Sequence, residues 1–306
     1  MPELPEVETI VRDLNRKVLG RAFVDVWTDW KKMIHLRQGF GGQVKRPDSF
    51  KKFKKEIKGK KIKKVWRRGK NILFELSEGK TLLIHQKLTG HLLLGDWERE
   101  VKAWRPIKPG PLEDPINRFL HLIFWLDNKY HLSIPKQLAL SDLRKFAKVE
   151  LWNSQELKES KEFTGLGPEP LAKSFTFQKF QEILKKEKRK IKQILMDQTV
   201  IAGIGNIYSD EILFEAKIRP LKEAPRLTLA ELKRIYQAIK KILKKAVELR
   251  GTSISDFRDL EGKRGSFGKV RKVYRKDGEK CPRCSTKIKR IKLAGRSAHF
   301  CPKCQK

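Results

Sequence analysis

Four cysteines, Cys281, Cys284, Cys301 and Cys304, sit together at the end of the chain as C-x2-C-x16-C-x2-C. This spacing lets two thiolates on one tight turn meet two on a second turn around a tetrahedral zinc ion. The segment 281–306 has too little core to fold alone, and one structural Zn2+ would supply the missing stability. A pair of redox-active CxxC motifs is the alternative reading. His299 lies beside the second pair, but four Cys already complete a tetrahedron, so it reads as a packing or surface residue. The Lys, Arg and His around these Cys give the unit a positive surface suited to phosphate. A second chemistry-bearing stretch, IKQILMDQTVIAGIGNIYSDEILF, reads as helix, turn, helix. Gly203 and Gly205 free the backbone for close approach, and Asn206 begins the second helix. A helix N-terminus behind open amides binds phosphate, and Lys192 on the preceding helix could join it. An Asn serving only as a helix cap explains the same residues. At the other end of the chain, Glu3, Glu6 and Glu8 crowd the start of a helix. Complementing the helix dipole is the plain explanation for Glu6 and Glu8.

Charge narrows the partner. Lys+Arg is 71 and Asp+Glu 36, so the formal net charge is 71 − 36 = +35. Such self-repulsion opposes a compact state unless a polyanion absorbs it. Nucleic acid is the first candidate and an anionic membrane surface the second. No apolar run approaches the roughly 20 residues of a membrane span. The acidic start MPELPEVETI lacks the form of a signal peptide. The confinement of all Cys to one motif speaks for a reducing compartment, and a cytoplasmic location is expected.

The elements that must position these residues follow from periodicity. Residues 4–19 form an amphipathic helix, with Val7, Ile10, Val11, Leu14 and Val18 on one face and Gly20 as its stop. Strands are expected at 23–27, 62–66, 72–76, 81–85, 91–94, 119–126 and 148–152, separated by turns such as Glu78-Gly79 and Asp127-Asn128. Many short strands point to a sandwich or barrel. Segments 31–60 and 96–118 read as loops or insertions. The Gly- and Pro-rich TGLGPEPL marks a boundary near 160–172. Helices are expected at 177–186, 190–196, 207–215 and 229–250, followed by a polar, Gly-rich loop over 251–280. At 306 residues, about two domains are expected.

Taken in order, MPELPEVET, GLGPEPL, DQTVIAGIGNIYSDEILF and GRSAHFCPKCQ resemble the formamidopyrimidine-DNA glycosylases, bacterial repair enzymes that remove 8-oxoguanine and ring-opened purines. The resemblance spans nearly the whole chain. It implies an α+β fold: an N-terminal two-layer β-sandwich with an N-terminal helix, then a helix-two-turn-helix domain and a zinc-binding β-hairpin. The expected organisation is a catalytic sandwich over 1–155 and a linker over 156–172. A DNA-binding helical domain over 173–250, a lesion-covering loop region over 251–280 and the zinc hairpin over 281–306 follow. Double-stranded DNA carrying oxidised bases or abasic sites is the implied partner, bound in a basic cleft by a monomer, with no membrane involved.

The resemblance also assigns residues. Pro2, exposed on removal of Met1, matches the catalytic amine; an α-amino group has a pKa near ~8, so a useful fraction is a neutral nucleophile. Glu3 matches the acid/base partner and Glu6 a supporting acid. Lys70 in RRGKNILFEL and Arg296 in GRSAHFC match phosphate-binding residues, and Asn206 carries over in the same role. In SDLRKFAK, Arg144 matches the filler of the gap left by the flipped base and Phe146 the wedge. In HQKLTGHL, Leu88 stands where the family usually has Met. Several residues depart from the family. Ser141-Asp142-Leu143 replaces Asn-Asp-Pro, Ala147 replaces Gly, and the segments 31–50 and 96–118 look longer than usual. An endonuclease-eight-type enzyme for oxidised pyrimidines and a catalytically silent DNA-binding protein are the alternatives. The runs KKFKKEIKGKKIKK and KKEKRKIKQ exceed what one short DNA footprint needs; a Lys-biased proteome or extended sliding on DNA would explain them.

Overall fold

The computed structural model describes residues 1–37, 49–101, 103–127, 136–254 and 256–306. Part of the loop expected over 31–60, and Asn128 of the expected turn, lie outside these. The chain divides into two compact units. The first comprises residues 1–2, 6–164 and 250–265, and the second residues 3–5, 165–249 and 266–306. The stretch read as one loop region, 251–280, is therefore shared between them.

From Glu6 onward, α1 (Leu4–Lys17) belongs to the first unit, and its apolar stripe Val7, Ile10, Val11, Leu14 enters the core. Two sheets follow. One runs β1 (Phe23–Thr28), β9 (Leu120–Leu126), β10 (Gln137–Ser141), β6 (His91–Gly95). The other runs β2 (Ile34–Leu36), β11 (Lys148–Asn153), β5 (Lys80–His85), β4 (Asn71–Leu76), β3 (Ile62–Arg68). Alternate residues of both sheets, such as Leu122, Phe124, Leu138 and Leu140 against Ile72, Phe74, Leu82 and Ile84, share one core with α1. This is the two-layer sandwich.

Two segments read as loops are part of this packing. In 31–60, β2 pairs in parallel with β11, and α2 (Ser49–Ile57) buries Phe53 and Ile57. In 96–118, β7 (Trp97–Arg99) and β8 (Trp104–Pro106) form a hairpin. Its Trp97 and Trp104 cover Leu93, Ile123 and Ala139 on the outer face of the four-stranded sheet. On the outer face of the other sheet, Leu73, Leu83 and Trp152 are covered by Leu157 of α3 (Ser154–Glu159) and Phe163 of α4 (Lys161–Thr164). With both faces covered, the strands read as near-continuous apolar runs. The segment 250–265 also belongs here: Phe257 and Leu260 enter the sandwich core, and the Leu94 amide donates to the Leu260 carbonyl at 2.8 Å.

The second unit packs α5 (Phe177–Lys185), α6 (Ile191–Met196), α7 (Asn206–Ala216) and α8 (Leu229–Glu248) around one apolar core that includes Leu4. Thr176 caps α5, and Thr228 with Glu231 forms a reciprocal capping box on α8. The chain ends in the antiparallel hairpin β12 (Lys289–Leu293) and β13 (Arg296–Phe300).

Candidate active site

In the second unit, Glu3 lies against the start of α7. Its carboxylate accepts the amides of Gly205 at 2.8 Å, Ile207 at 2.9 Å and Tyr208 at 3.3 Å. The positive end of a helix is a favourable seat for an acid. The turn read as an open phosphate cradle is thus occupied by the chain's own carboxylate at these three amides. Gly205 must be Gly, because a Cβ there would sit 2.4 Å from the Glu3 carboxyl carbon. Gly203, at φ +93°, lets Leu4 pack against it and accepts the Leu4 amide at 2.9 Å.

Lys192 differs from its expected role as a phosphate contact. It is 1% exposed, and its ammonium is held by Asp210 at 2.5 Å and the Ser297 carbonyl at 2.7 Å. Burial pushes its pKa down, opposed by the nearby Asp210 and Glu3 carboxylates. Placed on the inner face of α6, its chain cannot reach solvent. The other side of Asp210 accepts the His299 amide and ring Nδ1, both at 2.9 Å. Next to it, Glu211 accepts the amides of Lys272, Val273 and Tyr274 at 2.7–2.9 Å; desolvation raises its pKa against those bonds. Sequence reasoning passed over Asp210 and Glu211. The available signal was two consecutive acids in a helix that is otherwise apolar nearly all round. Asn206 approaches Ser297 Oγ at 3.4 Å, and Arg296, next to Ser297, is exposed at the tip of the hairpin. Lys192, Asn206 and the base of the Arg296 strand therefore converge.

The four Cys sulfurs lie within 4.8 Å of one another. Cys281–Cys304 is 3.9 Å and Cys284–Cys301 is 3.5 Å. Tetrahedral zinc with Zn–S bonds of about 2.3 Å requires sulfurs about 3.8 Å apart, whereas a disulfide requires about 2 Å. Each CxxC turn also aims an amide at its first sulfur: Arg283 to Cys281 and Cys304 to Cys301, both 3.4 Å. The donor set fits one structural zinc ion. His299 is turned away to Asp210 and is not among the ligand group.

In the first unit, Pro2 is buried. Glu6, 1% exposed, accepts the Thr252 amide at 2.7 Å and so holds the start of the 250–265 segment. That segment is further fixed by Arg250, which pairs with Asp13 and Asp259. Strand register places Arg68, Asn71, His85 and Lys148 at one end of the five-stranded sheet. Lys70 occupies the turn between β3 and β4, braced by Arg67, which donates to the Gly69 carbonyl at 2.9 Å. Sequence reasoning did not single out His85. Its Nδ1 accepts the Lys87 amide at 2.9 Å, and burial, then Lys87, Lys70 and Lys148, push its pKa down to about 3. It is a neutral imidazole bearing its hydrogen on Nε2. A His two residues before a Lys in a strand-ending turn was the signal available.

At the same end, Leu88 and Phe146 line one groove of about 600 Å3 with Trp30, His35, Lys87 and Lys145. Phe146 is 50% exposed, and the Arg144 guanidinium lies 4.8 Å over its ring. The altered loop is organised by Asp142, fully buried, which accepts the amides of Arg144 at 3.3 Å and Ala147 at 2.7 Å and the Thr89 hydroxyl. This carboxylate presents Arg144 and Phe146 outward without the family's Pro.

Family models match most of the chain in three parts. The formamidopyrimidine-DNA glycosylase N-terminal domain covers residues 1–149, its H2TH domain 166–258, and a zinc finger found in FPG and IleRS 278–306. The formamidopyrimidine-DNA glycosylase of Pelotomaculum thermopropionicum is 39% identical, covering 100% of this chain and 99% of that one. That of Carboxydothermus hydrogenoformans is 38% identical, covering 100% of both. Among solved structures, a Lactococcus lactis Fpg complex with abasic-site DNA matches with a TM-score of 0.81 at 34% identity, covering 99% of each chain. A MutM complex with DNA containing carbocyclic 8-oxo-G matches with a TM-score of 0.81 at 34% identity over 100% of both chains. This is an α+β DNA-repair glycosylase architecture with a four-cysteine zinc centre. The chain belongs to the formamidopyrimidine-DNA glycosylase family. Among the described residues, no helix is long and apolar enough to cross a membrane.

Proposed function

We propose that this glycosylase excises 8-oxoguanine and formamidopyrimidines from double-stranded DNA and then cuts the strand at the abasic site. Once Met1 is removed, the neutral Pro2 nitrogen attacks the sugar C1′. The N–C1′ bond forms as the glycosidic bond breaks, and the base leaves with the electron pair and takes up a proton. Ring opening gives an iminium. Loss of the C2′ proton breaks the C3′–O bond, and a second elimination breaks the C5′–O bond. Glu3, one residue from the amine, moves protons to and from the opening sugar. Lys70, Arg296 and Asn206 bind phosphates near the lesion, and the Nε2–H of His85 adds a neutral donor. Arg144, Leu88 and Phe146 fill the gap left by the extruded base. Glu6 supports the site through Thr252. Lys192 acts indirectly, by fixing the strand that begins at Arg296. Zinc stabilises the hairpin and takes no part in the chemistry. The protein acts as a cytoplasmic monomer.

The carrying observation is the Glu3 carboxylate, immobilised on the α7 amides one residue from Pro2. It is supported by relatives solved with abasic-site and Fapy-dG DNA. The test is borohydride trapping on a duplex with 8-oxoguanine opposite cytosine, beside thymine-glycol and abasic duplexes. A covalent adduct lost when Met1 is retained is expected. An adduct only on the oxidised pyrimidine would reassign the lesion class. No adduct on any duplex would mean the chemistry is lost.

A further inference from the structure

We propose that the lysine-rich face of α2 and the adjoining start of β3 is a second binding surface for duplex DNA, separate from the lesion site. The stretch 51–64 holds nine Lys and one acid, Glu56. Structural need explains only part of this charge: Lys54 and Lys55 suit the last turn of α2. Among the described residues, no acid stands in the first turn of α2, where the helix dipole favours one; Lys51 and Lys52 stand near it instead. Lys51 and Lys55, and Lys54 and Lys58, are like-charge neighbours four apart, which weakens a helix. Among the described residues, Asp25 holds Lys54, Glu56 holds Lys80 and Glu78 holds Lys60. Lys51, Lys52, Lys55 and Lys61 are exposed. Lys51, Lys52, Lys55 and Lys60 line a notch of about 680 Å3 with the paired Glu56. A concave row of ammonium groups complements a phosphate backbone.

Its place in the first unit makes the surface separate. Register sets Lys70, His85 and the Leu88 and Arg144 turns at one end of the five-stranded sheet, where Arg68, Asn71 and Lys148 align. Glu78 and Lys80, which hold or are held by this face, lie beyond the other end, where Ile62 pairs with Leu76 and Asn153 with Lys80. Strands of this length separate the two ends by about 20 Å. Lysines there add little to a lesion duplex gripped at the far end, but can hold a neighbouring segment of DNA while the lesion site searches another.

The test uses the full-length zinc-loaded protein and an undamaged labelled duplex of about 15 base pairs, so it does not depend on catalysis. At low salt, sedimentation should give two duplexes per wild-type chain. A variant carrying Lys51→Gln, Lys52→Gln, Lys55→Gln and Lys61→Gln should bind one. Each lost phosphate contact lowers the slope of log K against log salt by about 0.9, so a total fall of about 3–4 is expected. Single-turnover excision on a short lesion duplex should stay within about two-fold of wild type, and the corresponding Lys→Arg variant should still bind two duplexes. One duplex per wild-type chain, or two per Gln variant, overturns the proposal. So does lysine-dependent capture by anionic lipid vesicles with a single duplex bound.

Discussion

Lys192→Met separates a structural lysine from a DNA-contacting one. The side chain is 1% exposed and its partner Asp210 0%. Removing one partner of a buried pair leaves an uncompensated charge and costs about 3–5 kcal/mol. Asp210 keeps its two bonds from His299, which places the cost near the lower value. At a urea m-value of about 1–3 kcal/mol/M, the midpoint should drop by at least about 1 M. The two units can be read separately. All seven Trp belong to the first unit, so circular dichroism at 222 nm follows the helical unit, while Trp fluorescence follows the sandwich. The loss should appear first in the dichroism. Binding of undamaged duplex should keep its salt slope, since a phosphate contact would remove about 0.9. A slope lowered by that amount with stability within about 0.5 kcal/mol of wild type would refute the buried-pin reading.

Gly205→Ala should expel the Glu3 carboxylate from the α7 amides. Loss of the Gly205, Ile207 and Tyr208 bonds, at about 1.5–3 kcal/mol for a bond to a charged group, should lower stability by at least about 2 kcal/mol in urea unfolding and slow adduct formation in the borohydride trap. His85 should stay neutral well below the ordinary histidine range. Its folded pKa is pushed to about 3 from 6.5, so the folded state resists protonation, and stability attributable to it is complete above 6.5 and lost as pH falls towards 3. NMR of the ring should show no titration between pH 8 and 5; a midpoint near 6.5 would contradict the assignment. Gln86, 1% exposed, has both side-chain amide atoms buried without a hydrogen-bond partner among the described residues. Gln86→Leu should therefore raise stability by about 1–3 kcal/mol, read as a higher midpoint by Trp fluorescence. Cys301→Ser should lower bound zinc from one ion per chain and make 281–306 the first site of proteolysis, which metal analysis and limited trypsin digestion check.

Elements with a strong period were legible from residues alone. The 3.6-residue spacing of Val7, Ile10, Val11 and Leu14 and the C-x2-C pairs each admit one local geometry, and α1 and the zinc centre follow. Gln137–Ser141, a strand outside those expected, is buried throughout and carries no alternation. The hairpin at 97–106 looked like a polar insertion. Its Arg and Glu are exposed while two Trp do the covering, and no period marks two residues seven apart. The burial of Lys192 is hidden from the sequence for a different reason. In a chain with 71 basic residues, composition makes every Lys look available to phosphate. The pairing with Asp210, 18 positions away, shows that this one is held inside.

The three acids at the start of the chain show what sequence can and cannot say about a site. Glu3, Glu6 and Glu8 are equivalent as complements to the dipole of their own helix. In the structure each serves another segment. Glu3 takes the amides that begin α7, Glu6 takes the Thr252 amide, and Glu8 bridges Arg12 and Arg67. Dipole complementarity would tolerate an exchange of acid for Gln at any of the three with a loss below about 1 kcal/mol. The observed contacts demand different outcomes. Glu8→Gln removes only partly exposed ion pairs, worth about 0–1 kcal/mol. Glu6→Gln leaves the Thr252 amide beside a neutral acceptor and should loosen the 250–265 segment, seen as faster amide exchange there. Glu3→Gln keeps the shape of the α7 cap but removes the proton carrier beside Pro2, so trapping should fall far more than stability. Equal effects at all three would return them to the dipole explanation and remove the structural support for Glu3 as the acid/base partner of Pro2.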